Sequence, residues 1–257
     1  MTDYAETVNS LIADMRMAIS LSTRIPVGSA TPAAEGELAR ASWALPVAGI
    51  LVGLTGAIVY WLATRARLHP EPAAMLALAA TMLITGAMHE DGLADAADGF
   101  GGGRTREQKL EIMRDSRIGS FGACALVVSI VLRWSALAAI ADPRQVAIAL
   151  VTAHAAARTP LPLFMRLLAP ARTDGLSAGA GQPPPQSVVI AIVLGVVCLL
   201  FGFGGSGTMI VLVTLAVAVL LISWLAKRQI GGQTGDVLGA LEQVCETAVL
   251  TVASSLL

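Results

Sequence analysis

Apolar runs about as long as a membrane is thick constrain the fold of this chain more than any other feature. A helix needs about 20 apolar residues to cross the hydrocarbon core of a bilayer. Charged residues make up only 14% of the 257 residues and hydrophobic residues 55%, whereas an ordinary soluble domain carries about 25% charged residues. The apolar excess is spread along the whole chain, so one soluble core would not hide it. The sequence therefore predicts an all-α polytopic membrane protein.

Seven stretches are candidate spans, which predicts about six to seven transmembrane helices. They cover residues 43–62, 72–88, 119–141, 146–165, 187–203, 208–225 and 237–257. The second stretch is short. The fourth contains His154 and Arg158, and the seventh contains Glu242 and Glu246. Polar groups at membrane depth must face protein or water, so these spans are predicted to lie against other helices.

The first 22 residues have a different pattern. Apolar residues recur there at three- and four-residue steps, with Asp3, Glu6, Asp14 and Arg16 at other positions. This spacing predicts an amphipathic helix at the membrane interface. We therefore predict one membrane-embedded domain over residues 1–257, with the interfacial helix at 1–22 and the transmembrane bundle, with its active-site loops, at 43–257.

Lysine and arginine positions orient the predicted spans, because basic flanks stay on the cytoplasmic side. With the N-terminus inside, the outer flanks hold only Arg65, Arg67 and Arg144. The inner flanks hold Arg16, Arg24, Arg40, Arg104, Arg106, Lys109, Arg114, Arg117, Arg166, Arg172, Lys227 and Arg228. The polar loops on this side are therefore predicted to face the cytoplasm.

Composition excludes other classes of protein. The net charge of -1 gives no electrostatic footprint for nucleic acid. The three cysteines all lie in apolar runs and are too few for a disulfide scaffold.

An acidic cluster follows the second predicted span. In TGAMHEDGLADAADGFGGG, residues 85–103, the aspartates Asp91, Asp95 and Asp98 follow each other at steps of four and three. On a helix these carboxylates point within about 60° of each other and repel unless a positive group lies among them. A bound divalent cation would supply this positive charge. Hard oxygen ligands suit magnesium, which usually bridges to substrate phosphates. The alternative is a solvated acidic helix end, which is less favoured beside a membrane span.

The neighbours of the aspartates are less diagnostic. His89 fits a general base, a partner of a metal ligand or a histidine satisfied by interfacial water. Glu90 is predicted to be solvated at the membrane surface.

Basic segments accompany the acidic cluster. Arg114 and Arg117 lie in LEIMRDSRIGSFG, residues 110–122, beside Asp115, and Arg172 lies in ARTDGL. Arginine pairs well with phosphate oxygens, so these residues suit a diphosphate, although a positive-inside flank explains the number of charges equally well. Gly119 and Gly122 would allow either close helix packing, which we favour, or approach of a phosphate.

These residues resemble the cobalamin synthase family, the adenosylcobinamide-GDP ribazoletransferases. The resemblance rests on the segments at 85–103 and 110–122 and on GGQTGDVLGALEQVCE at 231–246, with weaker support from RIPVG, LPVAGILVG, Arg158 and ARTDGL. It covers almost the whole chain.

The resemblance implies a magnesium-dependent enzyme in the bacterial cytoplasmic membrane. Such an enzyme joins adenosylcobinamide-GDP with α-ribazole, or its 5'-phosphate, and releases GMP. The implied metal ligands are Asp91, Asp95 and Asp98, with Asp115 as a further ligand or a group that orients the nucleophile. Arg114, Arg117, Arg158 and Arg172 would bind the substrate or neutralise developing charge, and Asp236 or His89 would accept the hydroxyl proton. Membrane lipid is an expected contact, and the oligomeric state, a homo-oligomer included, stays open.

Three rival interpretations remain at this point. A CDP-alcohol phosphotransferase also uses aspartates and magnesium, but the chain has Asp95 where that family has an arginine and lacks its second block. An intramembrane prenyltransferase spaces its aspartates as DxxDxxxD, which is the reverse of the DxxxDxxD order in this chain. A cation-coupled transporter would need carboxylates midway through spans, for which only Glu242 and Glu246 qualify.

Overall fold

In the computed structural model of the chain, which describes residues 2–28 and 36–257, helices account for nearly all regular structure. A bridge between Pro170 and Gln233 is the one β-type pairing among the described residues. The helices are α1 (Thr2–Ser22), α2 (Glu37–Ala41), a short 3₁₀ turn (Ser42–Ala44), α3 (Leu45–Arg65), α4 (Pro70–Thr85), α5 (Met88–Gly102), α6 (Arg106–Ile112), α7 (Ser120–Ile140), α8 (Pro143–Arg158), α9 (Leu161–Leu167), α10 (Leu176–Gly179), α11 (Pro185–Ile230) and α12 (Gly235–Leu256).

The lengths and apolar character of these helices confirm an all-α polytopic membrane protein. Five helical stretches of the described residues are long and apolar enough to cross a membrane: Glu37–Arg65, Ser120–Ile140, Pro143–Leu167, Pro185–Ile230 and Gly235–Leu256. Helices α4 and α5 together make a sixth candidate stretch, although α5 is bent by 88° from α4. The predicted second span thus corresponds to α4, and the predicted acidic segment is a separate helix.

Helix α11 contains the fifth and sixth predicted spans. Its 46 residues are interrupted at Gly204, whose backbone is not helical (φ 65°). The Ser187 hydroxyl donates to the Arg40 carbonyl at 2.7 Å. At the other end of α11, the Ile230 carbonyl accepts from Arg106 at 2.8 Å, shortly before α12 begins. A Cβ on Gly207, next to the interruption, would lie 3.2 Å from Leu256 at the far end of α12. Helix α11 therefore turns back at Gly204 and forms a helical hairpin.

Small residues bring the central helices into close contact. A Cβ on Gly53 of α3 would lie 2.6 Å from the Leu150 carbonyl oxygen of α8, and one on Gly49 would lie 2.9 Å from the Ala155 nitrogen. The facing residues of α8 include fully buried alanines, such as Ala153. Packing of small residues is a common way for membrane helices to associate. The resulting α3–α8 pair, with α12 against α8, forms the centre of the bundle.

Helix α1 lies against this bundle with its apolar side partly exposed. Leu11, Ile12 and Met15 are exposed, as a helix in contact with lipid requires. Asp14 instead is buried, because its carboxylate accepts from Trp43 at 3.0 Å and pairs with Arg40 at 2.9 Å. The helix predicted over residues 1–22 is therefore present over 2–22 and is attached to the bundle by a polar contact. Met1 lies outside the described residues.

Candidate active site

Helix α5 carries the predicted aspartates to one end of the bundle. The chain turns between α4 and α5 through Gly86 and Ala87, both in the left-handed region (φ 68° and 57°). This conformation is costly for alanine. The turn points α5 away from the axis of α4, so that α5 packs on α12. The bend thus places the acidic face of α5 at the start of α12.

Two glycines set the distance between α5 and α12. A Cβ on Gly92 would lie 2.9 Å from the Asp236 carbonyl oxygen and 3.1 Å from Gly239. A Cβ in either helix would push the two backbones apart, which is the usual reason for glycine at a close helix crossing. The close crossing brings Asp236 of α12 towards the acidic face of α5.

Asp91, Asp95 and Asp236 form the acidic part of the site. Asp95 interacts electrostatically with Asp91, Asp236 and Asp98, and Arg172 is the cation that acts on it in return. Asp91 is exposed, while Asp95 and Asp236 are half-buried. The Asp236 carboxylate accepts from the Thr234 hydroxyl at 3.2 Å and from Arg172 at 3.4 Å. Negative charge therefore exceeds positive charge at this position.

Asp98 occupies a different environment from the other two aspartates of α5. It is buried, and its two carboxylate oxygens accept from the backbone N–H groups of Gly119 at 2.7 Å and Gly122 at 2.9 Å. These N–H groups begin α7 and have no partner within that helix. Asp98 thus joins α5 to the start of α7, and the two glycines pack against its carboxylate.

The only group of three metal-type ligand atoms within 4.8 Å of one another, among the described residues, is formed by His154, Glu242 and Glu246. The set of Asp91, Asp95 and Asp98 does not converge to that extent. An ion held by α5 in this arrangement would therefore use fewer carboxylates of that helix than the spacing predicted.

Three of the predicted arginines, Arg114, Arg117 and Arg172, lie in loops, and each is paired with an aspartate. Arg114 lies 2.5 Å from Asp174 and joins the α6–α7 loop to the α9–α10 loop. Arg172 of the latter loop contacts Asp236 at 3.4 Å. A further link was not predicted: Arg106 donates to the carbonyls of Ala171 at 2.5 Å and Ile230 at 2.8 Å. Three separate segments of the chain are thereby held beside α5.

Asp115 and Arg117 form a separate, exposed pair. The Arg117 guanidinium donates to both Asp115 oxygens, at 2.5–3.0 Å. These hydrogen bonds lower the pKa of Asp115 to about 2, so this carboxylate is ionised at any physiological pH. The Arg117 side chain is 87% exposed. Neither residue forms a hydrogen bond or an ion pair with Asp91, Asp95 or Asp236.

His89 and Arg158 are buried where α5, α8 and α12 meet. The His89 Nδ1 atom lies 3.4 Å from Arg158 and 3.8 Å from Glu242. Arg158 also lies 2.5 Å from Glu242 and donates to the His154 carbonyl at 3.0 Å. Both predicted residues are therefore held by the bundle, with Glu242 as their common partner.

A second buried network surrounds Arg133 of α7. Arg133 lies 3.1 Å from Glu90 and 3.0 Å from Glu246, and Glu246 lies 3.3 Å from His154. All four residues are less than 9% exposed. The prediction that Glu90 is solvated was wrong, because an arginine from the third predicted span supplies its partner inside the bundle.

The network was visible in the sequence only as isolated charges inside predicted spans. Glu242 and Glu246 are four residues apart on α12, and His154 and Arg158 are four apart on α8, so each pair shares one helix face. The arginines already pair with the carboxylates that the metal-type group would use. The arrangement is therefore best described as a network of buried ion pairs.

A cavity of about 290 Å³ opens beside the acidic group. Four polar residues that the sequence indicated line it, namely His89, Asp91, Arg158 and Asp236. The remaining lining is largely apolar. Most of it comes from α1, α2, α3 and α9, and α5, α10 and α12 supply the rest. The structure therefore brings together one aspartate of α5, Asp236, His89 and Arg158 around one space. Arg114, Asp115, Arg117 and Arg172 do not line it, and Arg172 reaches it only through Asp236.

Comparison with known proteins gives consistent matches over almost the whole chain. The family model described as cobalamin-5-phosphate synthase matches residues 14–254. A protein of Bradyrhizobium diazoefficiens named adenosylcobinamide-GDP ribazoletransferase is 60% identical over 250 residues, which cover 97% of this chain and 96% of the relative. A protein of the same name from Mesorhizobium japonicum is 51% identical, with 95% of this chain and 93% of the relative covered. No solved structure matches the chain.

Proposed function

The chain belongs to the cobalamin-5-phosphate synthase family, and we propose that it joins adenosylcobinamide-GDP with α-ribazole, or its 5'-phosphate, at the site between α5 and α12. The activity is that of an adenosylcobinamide-GDP ribazoletransferase, a membrane-bound transferase of cobalamin synthesis. The observation that carries the placement of the reaction is the excess of carboxylates on α5 and α12 beside a cavity that also contains Arg158 and His89.

The reaction replaces the phosphoanhydride bond of the donor with a phosphodiester bond. A hydroxyl oxygen of the ribazole forms a bond to the corrinoid-side phosphorus, and the bond from that phosphorus to the oxygen of GMP breaks. GMP leaves with the electron pair, and the hydroxyl proton passes to a base. Transfer of this kind is catalysed mainly by positioning and by electrostatic stabilisation.

The acidic group fits magnesium. Its donors are hard carboxylate oxygens, and Arg172 is the cation that acts on Asp95 among three neighbouring carboxylates. Magnesium commonly uses one or two carboxylates and completes its shell with water and substrate phosphates, so we assign Asp91 and Asp95 as its ligands. Magnesium bound there would neutralise the diphosphate and make its phosphorus more electrophilic. We assign Asp98 to support of this segment, because its oxygens already accept two N–H groups.

The remaining predicted residues fall into two groups, those that line the cavity and those in the loops beside the site. Arg158 lines the cavity and is oriented by Glu242, so it is placed to neutralise charge on a transferring phosphate. Arg114, Arg117 and Arg172 lie in loops beside the site and would exchange their aspartate partners for phosphate oxygens. Asp236 would accept the hydroxyl proton, because it lines the cavity and interacts with Asp95. His89, held by Arg158, would orient the reactants.

The membrane setting follows from charge and from apolar exposure. We propose the bacterial inner membrane, with the site on the cytoplasmic side, because the predicted flanks on the side of Arg114 and Arg172 hold twelve lysines and arginines and those on the other side hold three. Exposed apolar side chains on α7 and α11, such as Val127 and Leu220, would contact lipid. A homo-oligomer stays a prediction.

The rival interpretations are not favoured. The family match covers nearly the whole chain, and the two carboxylates that a transporter would need, Glu242 and Glu246, are paired with Arg158 and Arg133. A carboxylate that is held by a buried arginine is a poor carrier for a transported cation.

Turnover in liposomes tests the proposal. Purified protein is given adenosylcobinamide-GDP, α-ribazole and magnesium, and GMP and cobalamin are followed by chromatography. Asp91→Asn and Asp95→Asn should each lower kcat at least about 100-fold in folded protein, because each removes a carboxylate that holds the cation. Chelation should abolish activity and magnesium should restore it.

The matched control is Glu111→Gln, which neutralises an exposed acidic residue of α6 near the same loops. It should retain parental activity. Full activity in folded Asp91→Asn and Asp95→Asn variants would place the reaction elsewhere, and absence of product from the parent protein would contradict the proposed activity itself.

A further inference from the structure

The cavity beside Asp236 has two chemically different walls. One wall comes from α5, α8 and α12 and carries the polar side chains His89, Asp91, Arg158 and Asp236, with Met88 and Leu238 beside them. The apolar wall, which comes from α1, α2, α3 and α9, consists mostly of alanine, leucine and methionine side chains. Its residues include Met17, Ala18, Leu21, Leu38, Ala41, Leu45, Leu161 and Met165. A ligand that fills this space must therefore combine an apolar body with a polar end.

The size of the cavity restricts which part of either substrate it accepts. Ligand pockets commonly measure about 300–1,000 Å³, and this cavity, at about 290 Å³, lies at the lower end of that range. A nucleoside has dimensions that fit such a space. A corrin macrocycle with its peripheral side chains is several times larger and must lie outside it.

The apolar wall distinguishes the two nucleosides of the reaction. Guanine presents hydrogen-bonding groups along most of its edge and loses binding energy where these stay unpaired. The hydroxyls on this side of the cavity belong to Ser22, Ser42 and Ser177, and the Ser42 hydroxyl already donates to the Ala39 carbonyl at 2.7 Å. The base of α-ribazole is a dimethylbenzimidazole, with two methyl groups, no ring N–H and one acceptor nitrogen. Its chemistry matches a wall of leucine, methionine and alanine.

We propose that this cavity binds α-ribazole, with the dimethylbenzimidazole against α1, α2 and α9 and the ribose towards Asp91 and Asp236. The assignment rests on the proposed function and places one substrate of that reaction. It puts the attacking hydroxyl beside the carboxylate that accepts its proton, and it leaves the diphosphate to approach from the loops that carry Arg114 and Arg172. It also gives α1 a direct part in the choice of the lower-ligand base.

The small residues of the apolar wall allow a direct test. Ala41 is 2% exposed and lines the cavity, so Ala41→Leu should occupy space that the base needs. We expect the KM for α-ribazole to rise about 10-fold or more, as for exclusion by a few methylene groups. The KM for adenosylcobinamide-GDP should stay within about twofold of the parental value. Ala139→Leu, an equal substitution at an exposed position of α7 outside the cavity, is the matched control and should change neither KM.

A second variant keeps the test informative if Ala41→Leu fails to fold. Met165→Gln preserves side-chain size at a half-buried position of α9 and adds an amide to the apolar wall. The substitution should lower the turnover rate with α-ribazole more than the rate with the α-linked adenine riboside. The ratio of the two rates, which measures the preference for the apolar base, should therefore fall. Equilibrium dialysis of the parent protein in liposomes compares the binding of α-ribazole with that of guanosine. The cavity assignment predicts that α-ribazole binds more tightly, and this measurement does not depend on catalysis.

The outcomes separate the two proposals. A parent protein that makes no cobalamin contradicts the proposed function. A parent that is active, with an unchanged KM for α-ribazole in folded Ala41→Leu and Met165→Gln, overturns the cavity assignment alone. A rise in the KM for adenosylcobinamide-GDP instead would assign the space to the donor nucleotide, and loss of a co-purifying lipid without any change in KM would assign it to an acyl chain. Either result overturns the proposal.

Discussion

Two sets of arginine–carboxylate pairs occur in this protein, and they differ in what surrounds them. Inside the bundle, Arg133 is fully buried and lies about equally far from Glu90 and Glu246. In the loops, Arg114 and Arg117 pair with Asp174 and Asp115 while more than half of each arginine side chain is exposed.

The difference in burial assigns the two sets to different tasks. A buried charge that loses its partner has no water to replace it, so the interior pairs hold the helices in one arrangement. An exposed pair contributes little to stability and exchanges partners readily, because water solvates both groups when they separate. The loop arginines are therefore free to take a substrate phosphate, whereas Arg133 is not.

Removal of one interior partner should have the largest effect on stability. Glu246→Gln would leave Arg133 with a single carboxylate and would remove the charge next to His154. Loss of one partner of a buried pair costs about 3–5 kcal/mol, so we expect a large fall in the Tm of the purified protein in detergent. Glu107→Gln, at an exposed position of α6, is the control and should stay within about 0.5 kcal/mol of the parent. An unchanged Tm for Glu246→Gln would mean that water reaches the network and that the interior is not dry.

Substitution of Asp98 should lower the Tm by an intermediate amount, because this buried carboxylate joins α5 to the start of α7. Its carboxylate accepts two N–H groups at the start of α7, and Asp98→Asn replaces one acceptor oxygen with a donor that faces an N–H. Loss of such a cap costs about 0.5–2 kcal/mol, and the Tm should fall accordingly. The magnesium concentration that gives half-maximal activity should stay close to the parental value.

The contrary result for Asp98 is equally specific. A folded Asp98→Asn variant with unchanged Tm and a strongly raised magnesium requirement would make Asp98 a metal ligand, as the spacing of the three aspartates predicted, and would remove it from the set of structural charges.

The limits of the sequence prediction follow from the same contrast. Hydropathy is a property of each segment by itself, and it predicted the helical spans well, including the boundary near Gly204 where α11 turns back. The helical pattern of the segment that carries Asp91, Asp95 and Asp98 was also confirmed. It did not reveal that α7 supplies two N–H groups to Asp98, because that contact joins segments more than 20 residues apart.

The interior network and the cavity were missed for a related reason. Arg133, Glu90 and Glu246 are isolated charges in the sequence, and only the packing of α5, α7 and α12 makes them partners. The contribution of α1 to the cavity depends on the contact of Asp14 with Trp43, which no local pattern contains. The unexplained charges inside spans were nevertheless the available signal, since each of them needed a partner.

The exposed arginines should give the smallest change in stability and a clear change in substrate affinity. Arg114→Gln breaks an exposed pair with Asp174, which is worth about 0–1 kcal/mol, so the Tm should hardly move. If Arg114 takes a phosphate in the complex, the KM for adenosylcobinamide-GDP should rise about 10-fold through loss of a charge-assisted hydrogen bond, and the difference should shrink at high salt because exposed charges are screened.

Arg104→Gln removes an exposed arginine of the same side that has no assigned role, and it should leave the KM unchanged. Equal effects of the two substitutions would show that the loops attract the substrate only through their net charge. A fall in the Tm of several degrees for Arg114→Gln alone would instead make its pair with Asp174 structural, and the contrast between loop and interior pairs would no longer hold.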